Sequence, residues 1–247
     1  MSKAQNTHLL LISPISMASK LLKFCYFIAA FLLVGCGNNK SENTTETQSE
    51  TPTEETVTTE TNRKTILCFG DSITAGYGLD DTDDAFPNIL QQKIDALDLN
   101  YTVINSGLSG ETSAGGKGRI DWILNQNIDI FLLELGANDG LRGVPLSETR
   151  ANLQDIIDIV KKKSPKTTIV LAGMQLPPNM GQDYTTGFRQ IFSDLAEKND
   201  LEFVPFILKD VGGIKALNQN DGIHPTVEGH KIVANTVWEV LGPLVKS

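Results

Sequence analysis

After residue 64 the chain alternates between five short apolar runs and five longer amphipathic or mixed stretches, and few folds satisfy that alternation. The apolar runs lie at residues 66–70, 101–105, 129–135, 167–171 and 201–204. They are too short for buried helices, and an apolar run closed by Gly, as at 66–70, reads as a strand buried on both faces. Residues 86–97, 114–124, 147–163, 188–198 and 225–244 read as helices. The first carries Phe86, Ile89, Leu90, Ile94 and Leu97 as one stripe and is entered through Pro87. Ser147 is the expected N-cap of the third, and Pro225 the expected first residue of the last. Strands and helices alternating in this way predict an α/β domain, a parallel sheet covered on both faces. A domain of roughly 180 residues is of ordinary single-domain size.

In such a sheet, residues just past the carboxyl ends of the strands line the crevice where ligands bind. The first run ends in Gly70-Asp71-Ser72, which sets a hydroxyl at that mouth beside backbone N–H groups able to hold negative charge. A serine hydroxyl attacks only when a base removes its proton. Of the three histidines, His8 lies in a segment expected to be removed and His230 in the last helix. His224 remains, in Asn220-Asp221-Gly222-Ile223-His224-Pro225. Asp221, with a glycine after it, can fold back onto the ring and fix its tautomer, as the acid of a Ser-His-Asp triad does. Gly-Asp-Ser is also a common turn, and Asp-x-x-His before a proline is also a capping turn or half of a metal site. Their joint occurrence at strand–helix junctions, with no other base on offer, favours nucleophilic catalysis.

Two further strand ends carry polar groups. Residues 101–105 run into Ser106-Gly107-Leu108-Ser109-Gly110, where Gly110 can offer an N–H with no side chain in the way. A nucleotide loop is the rival reading, but the Gly-x-Gly-x-x-Gly frame and the phosphate-loop lysine are missing. Residues 129–135 end in Gly136-Ala137-Asn138-Asp139-Gly140, an ordinary turn that also aims the Asn138 amide at the crevice. Glu134 sits awkwardly in that strand and is expected to be paired or near its end, with no catalytic role. The acidic stretch 80–84 reads as a solvated loop, since calcium-ligand spacing is absent. Residues 174–186 form a long loop over the crevice mouth, and Leu141, Leu176, Pro177 and Pro178 are candidates to line a substrate channel.

Gly70-Asp71-Ser72, Gly110, Gly136-x-Asn138-Asp139 and Asp221-Gly222-Ile223-His224-Pro225 together resemble the four blocks of the SGNH (GDSL) hydrolases. Ser109 to Ser113, Glu134-Leu135-Gly136 and Asn138 to Gly143 are similar to the bacterial thioesterase I, lysophospholipase and arylesterase branch. The resemblance covers nearly all of residues 65–245. It implies a flavodoxin-like three-layer α/β/α sandwich with a five-stranded parallel sheet, and hydrolysis of small-molecule esters, thioesters or lysolipids without metal or cofactor. It assigns Ser72 as nucleophile, His224 as base and Asp221 as its orienter. Gly110 N–H, the Asn138 side chain and Ser72 N–H would form the oxyanion hole. The rival within the superfamily is a carbohydrate O-acetyl esterase, and the rival of another class is a catalytically silent surface-binding lipoprotein. An α/β-hydrolase elbow needs Gly-x-Ser-x-Gly, and Gly70 to Thr74 lacks the final glycine.

Residues 1–36 read as a lipoprotein signal: Lys20 and Lys23 precede an apolar run at 24–34, and Leu33-Val34-Gly35-Cys36 resembles a lipobox. Cys36 is the expected lipidation site, and Met17 gives a more usual signal start than Met1. An ordinary signal peptide or membrane anchor is the alternative. Residues 37–64, rich in Asn, Ser, Thr and Glu, read as a disordered tether, with a cleaved pro-segment as the alternative. The expectation is a 65–247 domain, monomeric and held to a membrane of the bacterial cell envelope by its N-terminal lipid, periplasmic or surface-exposed. Once Cys25 leaves with the signal and Cys36 carries lipid, Cys68 has no partner for a disulfide. A formal net charge of −9 argues against nucleic-acid partners.

Overall fold

A computed structural model describes residues 63–247. The signal segment, Cys36 and residues 37–62 of the tether lie outside the described residues. Lys64, assigned above to the tether, instead opens the first strand by pairing with Tyr101, so the folded unit starts one residue earlier than expected.

Five strands form one parallel sheet: β1 (Lys64–Gly70), β2 (Tyr101–Gly107), β3 (Ile130–Glu134), β4 (Thr168–Ala172) and β5 (Glu202–Val204), in the order β2-β1-β3-β4-β5. β1 and β3 are central, and their near-continuous apolar sequences follow from burial on both faces. Phe69, Phe131, Leu132 and Leu133 are essentially inaccessible to solvent. Each such side chain contributes about 1.5–3 kcal/mol by leaving water.

Among the described residues seven α-helices complete the layers: α1 (Ser72–Ala75), α2 (Phe86–Ala96), α3 (Ser113–Ile123), α4 (Ala137–Leu141), α5 (Leu146–Lys163), α6 (Gln182–Asn199) and α7 (Val227–Val245). α2 packs with α7 on one side of the sheet, while α3, α5 and α6 pack in sequence on the other. Chain order reverses direction across the sheet between β1 and β3, and there the crevice opens.

Several helix boundaries differ from the sequence reading. α6 starts at Gln182, so the loop expected over 174–186 is shorter and holds a 3-10 turn at Pro178–Met180. Tyr184 anchors that early turn through its hydroxyl, which donates to the Val144 carbonyl at 3.0 Å. α5 begins at Leu146 behind Pro145, which leaves Ser147 inside the first turn instead of at the cap. α7 begins at Val227 and is capped by Thr226, whose side chain accepts from Gly229 N. Pro225 precedes it, paired in a short antiparallel bridge with Asn218.

Candidate active site

Ser72 follows directly from the end of β1. Asp71 caps the one-turn helix α1, its Oδ1 accepting from Ile73 N at 3.0 Å, and Ser72 becomes the first helical residue. The turn is tight because β2 passes close by: a Cβ at Gly107 would lie 2.1 Å from the Ala75 nitrogen. Ser72 is thereby held at the floor of the crevice, only 8% exposed.

The His224 imidazole reaches it from the loop ahead of α7. His224 Nε2 lies 2.8 Å from Ser72 Oγ, and His224 Nδ1 lies 2.7 Å from Asp221 Oδ2. The other Asp221 oxygen accepts from Ile223 N at 3.0 Å and His224 N at 3.1 Å. Partial desolvation pulls the Asp221 pKa up, but bonds from the His224 ring and from these two N–H groups outweigh it and hold the pKa at about 2. The carboxylate is thus ionised at any working pH and accepts a proton-bearing Nδ1, which leaves Nε2 free to act on Ser72. Gln219 braces the loop: its N donates to His224 O at 2.7 Å, and its side chain donates to Tyr77 O at 2.7 Å and Pro225 O at 3.0 Å. The Tyr77 ring stands 4.7 Å from the His224 ring.

On the opposite side of the crevice stand Gly110 and Asn138. Gly110 adopts φ +80°, a conformation that disfavours any side chain. Asn138 lies in α4, a turn of helix where an irregular turn was expected, entered through Gly136. Its Nδ2 donates to Glu111 O at 3.0 Å and Asp71 Oδ2 at 3.2 Å. Arg142 joins the two, its Nη2 donating to Gly110 O at 3.0 Å and Asn138 Oδ1 at 3.4 Å.

Beneath this face Arg119 ties the loop down. It pairs with the buried Glu111 through Nε at 2.7 Å and Nη2 at 2.5 Å, and donates to Ser106 Oγ and Ser106 O, each at 2.9 Å. Its guanidinium lies 3.9 Å over the Phe69 ring. Asp139, wholly buried, accepts from Ser113 N at 2.7 Å and from Ser113 Oγ, which fixes α3 against α4.

A cavity of about 740 Å³ opens over Ser72 and His224. All four residues expected in a channel, Leu141, Leu176, Pro177 and Pro178, line it, as do Gly110, Asn138 and Asp221. Met174, in the loop expected over the crevice mouth, lines it too, whereas sequence reasoning missed the lining residues Tyr77, Phe206 and Leu208. Tyr77 had one available signal, its place five residues beyond the nucleophile. Phe206 and Leu208 had none, being brought in by the chain leaving β5. The Cys68 thiol is buried in β1, and burial, with Glu134 nearby, pushes its pKa far up, so it has no part in the chemistry.

The model of the GDSL-like Lipase/Acylhydrolase family matches residues 68–232. The chain belongs to this family. Over 183 residues it is 36% identical to Esterase TesA of Pseudomonas aeruginosa (strain PAO1), covering 74% of this chain and 90% of that relative. It is 34% identical over 182 residues to Thioesterase 1/protease 1/lysophospholipase L1 of Escherichia coli (strain K12), covering 73% of this chain and 85% of the relative. Among solved structures, psychrotrophic esterase EstA from Pseudoalteromonas sp., inhibited by monoethylphosphonate, matches with a TM-score of 0.69 at 31% identity, over 74% of this chain and all of that one. The five-stranded α/β fold is that of the SGNH hydrolases, and the chain is an ester-hydrolysing enzyme of that family.

Proposed function

We propose that the domain hydrolyses acyl esters or thioesters through an acyl-enzyme on Ser72. The reading rests above all on the unbroken line from Asp221 through His224 to Ser72 Oγ at the floor of an apolar cavity. His224 Nε2 takes the Ser72 proton as Oγ attacks the carbonyl carbon, and returns it to the leaving alcohol or thiol. Water, deprotonated by the same nitrogen, then attacks the acyl-enzyme and frees the acid. Charge on the carbonyl oxygen is met by Ser72 N–H, Gly110 N–H and Asn138 Nδ2, and removing one such donor typically costs about 3 kcal/mol.

The cavity supports an acyl chain well beyond acetate. Its 740 Å³ and its lining of Leu141, Met174, Leu176, Pro177, Phe206 and Leu208 match a hydrocarbon chain better than an acetylated sugar. The names of the thioesterase and lysophospholipase relatives support the same reading. Rates on p-nitrophenyl esters from acetate to palmitate test it. A maximum at medium or long chains is expected, and a steady decline from acetate onward would favour the carbohydrate O-acetyl esterase. We further propose, from the lipobox at Leu33 to Cys36, that the enzyme works at the cell envelope on a lipid tether. Metabolic labelling of Cys36 with a fatty-acid probe, lost in Cys36→Ser, tests that placement.

A further inference from the structure

Among the buried carboxyls that the reaction described above does not use, Glu134 is incompletely satisfied. Glu134 ends β3 with 1% of its surface exposed, directly beside the end of β1. Its Oε2 accepts from Thr74 Oγ1 at 2.7 Å and from Asp71 N at 3.2 Å. Its Oε1 is equally buried and has no hydrogen-bond partner among the described residues. The space is shaped for this group: a Cβ on Gly70 would stand 2.5 Å from Oε2 and 2.0 Å from Thr74 Oγ1.

Asp71 is the neighbouring carboxyl, also wholly buried and within hydrogen-bonding range of Glu134. Two ionised carboxylates have no hydrogen to share, and both would be desolvated. A single proton resolves the conflict, and the surrounding donors say where it sits. Asp71 already accepts from Ile73 N and Asn138 Nδ2, which suits a carboxylate, and it lies near His224. Glu134 Oε1 has no hydrogen-bond partner among the described residues, which suits an O–H.

We infer that Glu134 is protonated in the working enzyme and donates an O–H hydrogen bond to Asp71, so that the ionised Asp71 fixes the nitrogen end of the Asn138 amide toward the oxyanion. An ionised carboxylate only accepts, so it reinforces the orientation that the Glu111 carbonyl and Arg142 already favour, whereas a protonated Asp71 could instead donate to Oδ1. The proton on Glu134 also removes one of two negative charges that would oppose an oxyanion nearby. Burial pushes the Glu134 pKa well up, reinforced by the Asp71 charge, and burial pushes Asp71 only to about 6. Glu134 is a positioning residue that acts on the oxyanion only through Asp71 and Asn138, and its role presupposes the oxyanion hole proposed above.

Three measurements decide the matter. Glu134→Ala is expected to lower kcat about tenfold or more with little change in KM. Glu134→Gln, whose amide oxygen accepts from Thr74 and whose NH₂ donates to Asp71, is expected to restore most of that loss. In the double variant with Asn138→Ala the Glu134→Ala loss is expected to disappear, since the two act on one donor. A folded Glu134→Gln enzyme as slow as Glu134→Ala, or losses that simply multiply in the double variant, would overturn the inference. Should Glu134→Ala not fold, infrared spectroscopy of the wild type and Glu134→Gln decides: a protonated-carboxyl band present at pH 8 and missing from the variant is expected, and its absence from the wild type refutes the proton. That band is read without turnover, so it stands or falls separately from the esterase reading. Conversely, full activity in Glu134→Ala beside a dead Ser72→Ala would sink this inference alone.

Discussion

The two sides of the crevice hold their charges by opposite means. Asp221 sits on an exposed loop with 39% of its side chain in solvent, and its carboxylate is satisfied by three donors from its own loop. Asp71 and Glu134 lie in the dry interior between β1 and β3, where desolvation dominates and pushes both pKa values up. Near solvent, short-range hydrogen bonds are enough to keep a negative charge. In the interior the same chemistry works only when a neighbour gives up its own charge. The base half of the site is therefore locally self-contained, whereas the nucleophile and oxyanion half depends on the assembled core.

The comparison breaks first at the nucleophile. Ser72→Ala is expected to abolish acyl turnover and labelling by a fluorophosphonate probe, while circular dichroism and Tm stay near wild type. Next, Asp221→Asn is expected to cut kcat by roughly a thousandfold or more by presenting an N–H where the ring needs an acceptor. Its exposed position means the accompanying loss of stability, read from urea denaturation, stays within about 1 kcal/mol. A large destabilisation would show that the loop is not self-contained. Asn138→Ala is expected to lower kcat by roughly a hundredfold, with a smaller change in KM.

The last effect concerns stability against pH and leaves turnover aside. His230, buried in α7, accepts from Phe86 N through Nδ1 at 3.3 Å, and its Nε2 has no partner among the described residues. Burial, and to a lesser degree the nearby His224, drops its pKa from 6.5 to about 4. The unfolded histidine binds a proton below 6.5 while the folded one stays neutral down to about 4, so stability falls as pH drops through that window. His230→Gln keeps an acceptor for Phe86 N and removes the titration. Its Tm is expected to fall less than the wild-type Tm between pH 7 and pH 4.5, by an amount equivalent to on the order of a few kcal/mol.

Much of this architecture is visible in the residues. Unbroken apolar runs such as Ile66 to Phe69 announce central strands, and Ser72, Asp221 and His224 stand out because their chemistry is scarce in the chain. What escaped was decided by tertiary contact. The early start of α6 depends on Tyr184 reaching Val144, and local sequence with Gly187 and two threonines argues the other way. Thr226 beat Pro225 to the start of α7 because Pro225 is held in a bridge with Asn218. The roles of Arg142 and Arg119 come from the carbonyls and carboxylate they hold, groups that only the fold brings to them. Glu134 was legible as an anomaly, an acid in an apolar strand, but its neighbour Asp71 is 63 residues away in sequence.

The general base rides on the segment just ahead of α7, 152 residues after the nucleophile, and α7 packs on α2. During synthesis the nucleophile therefore emerges from the ribosome long before the imidazole that arms it. A growing polypeptide carries an inert serine until the segment bearing His224 has been made and α7 has docked behind it.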